Sequence, residues 1–257
     1  MQATVRDDVL EVSETLSAAL DGEVSDGRGL NGYRASKVIK REDETLARVL
    51  YGGNGWPHLI ATGAATDDVV PVLRGAWAGL HEVTRMDSAQ DFDSEGGYDR
   101  LRELMLGVAE SSKLTTMEVE STREGVRSRT VYLGSPTSRV RVRLYEKGRM
   151  ERQQGRAGAS ENWVRMEAQI RPTGLSARVL ASELDAQAAW GMSRWTRELA
   201  RLAMGADVER VTMQLHREPD YARAMAALTK QYRGVLERAL VVEGSWEAVG
   251  RLLGVVE

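Results

Sequence analysis

The alternation of apolar and polar positions organises this chain before any motif does. Between residues 5 and 20, Val9, Leu10, Val12, Leu16 and Leu20 recur at helical spacing and predict a helix. Residues 21–32 are rich in Gly and Asp and read as a loop. Short alternating segments follow at 33–40, 46–51 and 58–62, with Gly52-Gly53-Asn54-Gly55 as a turn between the second and third. Asp67-Asp68 leads into an amphipathic helix over 69–80, where acidic side chains suit the N-terminal end. The pattern then predicts a strand at 83–92, a helix at 98–108, and strands at 126–133, 140–145 and 163–171. From Leu175 the period is helical, through 200, across 221–241 and over 246–253. The expectation is an α+β protein: an antiparallel sheet with helices packed on one face in residues 1–172, then a mostly helical C-terminal region, 173–257.

Three strands carry unusual polar faces. In Arg139-Val140-Arg141-Val142-Arg143-Leu144-Tyr145-Glu146-Lys147 the odd positions are Arg, Arg, Arg, Tyr and Lys. Successive strand side chains point to opposite faces, so Tyr145 shares a surface with three guanidinium groups. In Trp163–Arg171 the residues Val164, Met166, Ala168 and Ile170 form the apolar face, opposite Trp163, Arg165, Glu167, Gln169 and Arg171. Arg85, Asp87 and Asp91 share one parity in the strand at 83–92. Antiparallel sheets ordinarily have a wet face, but one of mixed composition rather than a file of arginine beside a tyrosine.

Composition narrows the chemistry. With 257 residues, 42% hydrophobic and 28% charged, the chain is long and apolar enough for a sizeable core. It has no cysteine, which excludes disulfides, thiolate zinc sites, iron–sulfur clusters and cysteine nucleophiles. The net charge of −3 and pI of about 5.8 exclude indiscriminate coating of nucleic acid. Yet Arg139–Arg156 holds seven basic residues against Glu146 and Glu151, a positive patch hidden in the average. Five lysines stand against thirty arginines, a bias that matches a GC-rich coding sequence. No signal peptide is expected in the opening residues, and no stretch approaches the ~18 apolar residues of a membrane span. A cytoplasmic protein without membrane association is therefore expected.

A tyrosine hydroxyl, with an ordinary pKa near 10, needs its phenolate stabilised before it can act as a nucleophile. Arginines and a divalent cation on the same face would do this and would also neutralise a phosphodiester. Asp87 and Glu167 are hard oxygen donors suited to Mg²⁺ or Mn²⁺, and Asp91 shares their parity. Tyr132, before the Gly134-Ser135 turn, is a rival nucleophile or a packing residue. Ser135 and Ser138 have no adjacent His or Lys base. His58, His81 and His216 are scattered and read as structural, and Trp190 and Trp195 as core or interface anchors.

These segments bear a family resemblance. Val131-Tyr132-Leu133-Gly134-Ser135 through Ser138, then Arg143-Leu144-Tyr145-Glu146-Lys147-Gly148, resembles the signature of the Rep_trans family. That family comprises rolling-circle replication initiators of plasmids and phages, with related relaxases of conjugative elements. Trp163-Val164-Arg165-Met166-Glu167 is similar to its next strand, and Gly29–Tyr33, Thr84–Asp87 and Asp91-Phe92 to its upstream elements. The resemblance implies an endonuclease that nicks and joins origin DNA, single-stranded or hairpin, through a 5′-phosphotyrosyl intermediate. Carried to this chain, it makes Tyr145 the nucleophile and Asp87 and Glu167 ligands of Mg²⁺ or Mn²⁺, with Asp91 as a further ligand. Glu146 matches the motif, but strict alternation puts it on the face opposite Tyr145 unless a bulge intervenes. Arg139, Arg141, Arg143, Lys147 and Arg165 would hold DNA by its phosphates. A homodimer and a host helicase are the protein partners such an initiator admits. Pro136 departs from a position where the family often has a basic residue, and the histidine-hydrophobe-histidine metal motif of other initiators is absent. A non-catalytic DNA-binding regulator on the same scaffold and a conjugative relaxase are the alternative readings.

Overall fold

In the computed structural model, residues 1–211 except 54 and 124 are described, together with 232 and 234–252. The chain divides into two compact units, 1–213 and 214–257. In the second, residues 234–243 and Trp246–Leu252 are helical. The remainder of the helix expected at 221–241 lies outside the described residues.

The first unit is built on ten antiparallel strands: β1 (Gln2–Val5), β2 (Glu23–Arg28), β3 (Ala35–Arg41), β4 (Glu44–Tyr51), β5 (His58–Ile60), β6 (His81–Asp93), β7 (Thr116–Arg123), β8 (Val126–Leu133), β9 (Val140–Tyr145) and β10 (Trp163–Ile170). Their order across the sheet is β2-β3-β4-β5-β1-β6-β10-β9-β8-β7. Strand β6 is the hinge of the arrangement. Its first five residues pair with β1, and residues from Met86 onward pair with β10 on the other edge. Two half-sheets are thereby joined through one long strand.

Helices α1 (Val9–Leu20) and α2 (Ala65–Ala76) cover the first half-sheet. Asp8 caps α1 by accepting the Leu10 N–H at 2.8 Å, and Asp21 ends it in the left-handed region at φ 49°. Val12 and Leu16 of α1, with Val69 and Leu73 of α2 and Trp77, pack on Ala3, Val5, Ile39, Val49, Leu59 and Val83. Helices α3 (Gly97–Ser111) and α6 (Arg194–Met204), with a short 3₁₀ helix at Ala188–Met192, cover the second half-sheet. Leu101, Met105, Trp190 and Leu199 meet Val131, Val142, Leu144, Val164, Met166 and Ala168 there. Each fully buried Val, Leu, Ile or Met among them contributes roughly 1.5–3 kcal/mol. Helix α4 (Lys147–Gln153) follows β9 directly, and α5 (Leu175–Glu183) packs along β6. Arg74 ties α5 to α2 by donating to the Ser182 and Leu184 carbonyls at 2.8 and 2.7 Å.

The α+β architecture agrees with the sequence pattern, including the bounds of β8 and β9. The differences have physical reasons. β2 and β7 are the exposed edge strands, so neither carries an apolar alternation; the first lies in the expected loop at 21–32. The first helix starts at Val9 because residues 2–5 form β1 beside β6. Helices α5 and α6 contribute to the two cores, so the stretch after 172 continues the first unit as far as residue 213.

Candidate functional site

Strand register turns the polar faces of β6, β10, β9 and β8 into a grid. One row reads Asp91, Arg165, Tyr145, Thr130. The next is Ala89, Glu167, Arg143, Tyr132, and the third is Asp87, Gln169, Arg141. One residue past the Met86–Ile170–Val140 row come Arg85, Arg171 and Arg139, where the Arg171 N–H donates to the Arg139 carbonyl at 2.7 Å. A register shift between Gln2 and Ala3, opposite residues 83–85, makes this alignment possible. It lets Val83 and Met86 both face the first core while Arg85, Asp87, Ala89 and Asp91 share the opposite face.

Tyr145 sits in the first row of this face, at the end of β9, and is only 5% exposed. Its hydroxyl donates to Glu167 Oε2 at 3.5 Å, and the Arg143 guanidinium lies 4.9 Å from its ring centroid. Burial first, and then the Glu167 charge, push the Tyr145 pKa up; Arg143 and Arg165 pull it down by less. Glu167, 7% exposed, takes Nη2 of Arg143 on both carboxylate oxygens at 2.8 Å. Arg165 and Asp91 form a two-pronged pair at 2.7 and 2.6 Å. Burial works against the Asp91 carboxylate, but the Arg165 bonds and charge hold its pKa below the ordinary range. Arg85 donates Nε to both oxygens of Asp87 at 3.1 and 3.0 Å. Trp163 lies beside the end of the grid, with Lys147 and Arg165 at 5.7 and 5.8 Å from its ring centroid.

Tyr145, Glu167, Arg143, Arg165, Asp87 and Arg85 line a cleft of about 870 Å³ together with residues of α2 and of the end of α5. It is large enough for nucleotide-sized groups.

Other expected residues stand apart from this wall. Glu146, 3% exposed, accepts the Arg129 backbone N–H at 2.7 Å and Arg129 Nη2 at 2.9 Å, while Arg129 reaches Asp99 of α3 at 2.8 Å. No bulge returns it to the Tyr145 side, and Glu146 is thereby removed from the ligand set the motif implies. Tyr132 is half-buried beneath the Arg141 guanidinium, 3.9 Å from its ring centroid. His58 stacks on Tyr33 with ring centroids 5.7 Å apart, and His81 Nδ1 lies 2.7 Å from the Trp77 carbonyl; both are buried. Trp190 is a core anchor whose Nε1 donates to Ser88 Oγ at 2.9 Å.

The donor set does not fit a divalent cation as it is arranged. Mg²⁺ needs near-octahedral oxygen ligation, but Asp87, Glu167 and Asp91 lie in successive rows and each is engaged by its own arginine. Among the described residues, no three His, Asp or Glu side chains converge as a metal site. Arg85 and Arg171 are polar-face residues that the resemblance did not mark. Their parity with Asp87 and Glu167 was the available signal.

No family model matches the chain, and no curated protein matches it either. Among solved structures, that of a rolling circle replication initiator protein from Geobacillus stearothermophilus is similar to it with a TM-score of 0.52. The match has 18% sequence identity and covers 83% of this chain and 97% of that one. The two chains thus share a fold, and the strands that carry Tyr145 and its arginines belong to that shared scaffold.

Proposed function

We propose that this protein is a rolling-circle replication initiator that nicks and rejoins origin DNA through Tyr145. The observation that carries the reading is one buried hydroxyl against one carboxylate, between two guanidinium groups, on the wall of an open cleft.

A strand phosphate entering beside Tyr145 meets Arg143 and Arg165, which balance the charge that grows on the phosphoryl oxygens. Glu167 Oε2 takes the phenolic proton as the Tyr145 oxygen bonds to phosphorus. The bond from phosphorus to the 3′ oxygen breaks, and that oxygen takes a proton from water to become a free 3′-hydroxyl. The phosphate stays joined to Tyr145 and to the 5′ oxygen of the downstream portion of the strand. Joining runs the same steps backwards, with a 3′-hydroxyl attacking the phosphotyrosine. A Mg²⁺ or Mn²⁺ ion at Glu167 would first have to displace Arg143, and no step above uses one. Arg139, Arg141 and Lys147 serve the same strand from positions around Tyr145.

The test is a hairpin oligonucleotide carrying the origin, labelled at its 5′ end to read the cleaved strand and at its 3′ end to read the protein-linked product, resolved on a denaturing gel, with Mg²⁺ and with Mn²⁺. The parent should give a cleaved strand and a protein-linked product, Tyr132→Phe should do the same, and Tyr145→Phe should give neither. Adducts formed by Tyr145→Phe at the parent level overturn the assignment. Retained binding without cleavage by the parent supports a DNA-binding regulator instead.

A further inference from the structure

Charge is distributed unevenly over the grid. In the two rows around Tyr145 each arginine has a carboxylate of its own: Arg165 has Asp91 and Arg143 has Glu167. The lower two rows hold Arg85, Arg139, Arg141 and Arg171 against the single carboxylate of Asp87. Among the described residues, Arg139, Arg141 and Arg171 form no ion pair. Arg141 is oriented by Tyr132 beneath it, and its Nε is buried without a hydrogen-bond partner. Arg171 is held in place by donating Nη1 to the Ser138 carbonyl at 3.1 Å. Arg85 uses only Nε on Asp87.

Such an arrangement costs free energy in the free protein, because half-buried like charges repel without a counter-ion. The cost registers at Arg171, whose pKa is lowered by burial and then by the neighbouring charge of Arg85, with Asp87 opposing and Arg141 adding. Fixed side chains without a counter-charge are what an anion site looks like before its ligand arrives.

From this we propose that Arg141 and Arg171, with Arg85, form a phosphodiester subsite that holds the backbone of a DNA strand two to three rows from Tyr145. The assignment rests on the nicking reading only for what lies at Tyr145. Rows two residues apart along a strand are about 6.7 Å apart, a spacing comparable to that of successive phosphates in an extended nucleotide strand. The Arg143–Glu167 row then lies beside the reacting phosphate, and the two rows below take phosphates on one side of it. Free phosphate offers the same oxygens, but a single ion could not span two rows.

The experiment measures binding of a fluorescein-labelled dT 12-mer in the Tyr145→Phe protein, across a salt titration, so that no cleavage is involved. Arg141→Gln and Arg171→Gln should each weaken binding by about tenfold and lower the slope of log K against log salt by about 0.7. Arg141→Lys and Arg171→Lys retain the charge and should keep most of the slope, which separates a lost contact from a lost fold. Arg100→Gln, on exposed α3, should change neither quantity. Unchanged slopes in both Gln variants overturn the subsite, even if the parent nicks DNA. Reduced slopes with a parent that never nicks uphold the subsite while the nicking reading fails. Inorganic phosphate at matched ionic strength is the second probe: if the Gln variants lose phosphate binding but keep that of the 12-mer, the site takes the free ion and the proposal fails.

Discussion

Tyr145 and Glu146 are adjacent in sequence and serve opposite faces of the sheet. The Tyr145 hydroxyl meets Glu167 beside the cleft, whereas the Glu146 carboxylate closes on the backbone and guanidinium of Arg129. One residue step at the end of β9 thus separates the candidate chemistry from a structural anchor. Different substitution effects follow on the two sides.

On the cleft side, Glu167 raises the Tyr145 pKa and also takes its proton in the proposed reaction. Glu167→Gln should therefore move Tyr145 ionisation to lower pH while reducing nicking at least 100-fold. NMR titration of ¹³C-labelled tyrosine reads the first quantity and the oligonucleotide assay the second. The raised folded pKa also fixes a stability trend. Its contribution is complete below the ordinary value near 10 and is lost as pH rises through the folded value, so Tyr145→Phe should flatten the alkaline limb of the stability curve. A Tyr145 ionisation that stays in place in Glu167→Gln would separate the two side chains.

On the far side, Glu146→Ala leaves the Arg129 N–H without its carboxylate acceptor and Arg129 without a buried partner. We expect a loss of about 1–3 kcal/mol in urea unfolding. Single-strand binding by the folded fraction should be unchanged. If Glu146→Ala instead removed nicking at full stability, Glu146 would belong to the chemistry after all.

Gly148 shows why glycine follows Lys147 in the motif. A Cβ at this position would collide with the Ser160 carbonyl and crowd the Trp163 side chain, so α4 could not dock beside β10. Gly148→Ala should cost about 1–3 kcal/mol, since backbone must move to admit the methyl group. Gly107→Ala, within α3 and with open space around it, should stabilise by about 0.5–1 kcal/mol. Thermal melts of the pair check the contrast; equal effects would mean that α4 tolerates the displacement.

Arg143 occupies both oxygens of Glu167, so a divalent cation and this guanidinium compete for one carboxylate. Arg143→Gln should bind Mn²⁺ more tightly than the parent in calorimetric titration. Weaker or equal binding would place any cation away from Glu167.

Much of this site was legible from local pattern. Strand alternation alone put Tyr145, Arg141 and Arg143 on one face and Glu146 on the other, because side-chain direction along a strand is set by the two-residue period of the backbone. Arg85, Asp87 and Asp91 shared a parity for the same reason, and the apolar positions of β8, β9 and β10 marked the faces that the helices cover. The edge strands β2 and β7 were not legible, since an exposed strand has no buried face to impose an alternation. Alternation could not say which arginine meets which carboxylate, because Arg165 and Asp91 are 74 positions apart and only register brings them together. Nor could it reveal that three of the arginines lack a carboxylate. The local period decided what each residue faces; the long-range pairing of β6, β10, β9 and β8 decided what it meets, and so left Arg141 and Arg171 without a counter-charge two and three rows from Tyr145.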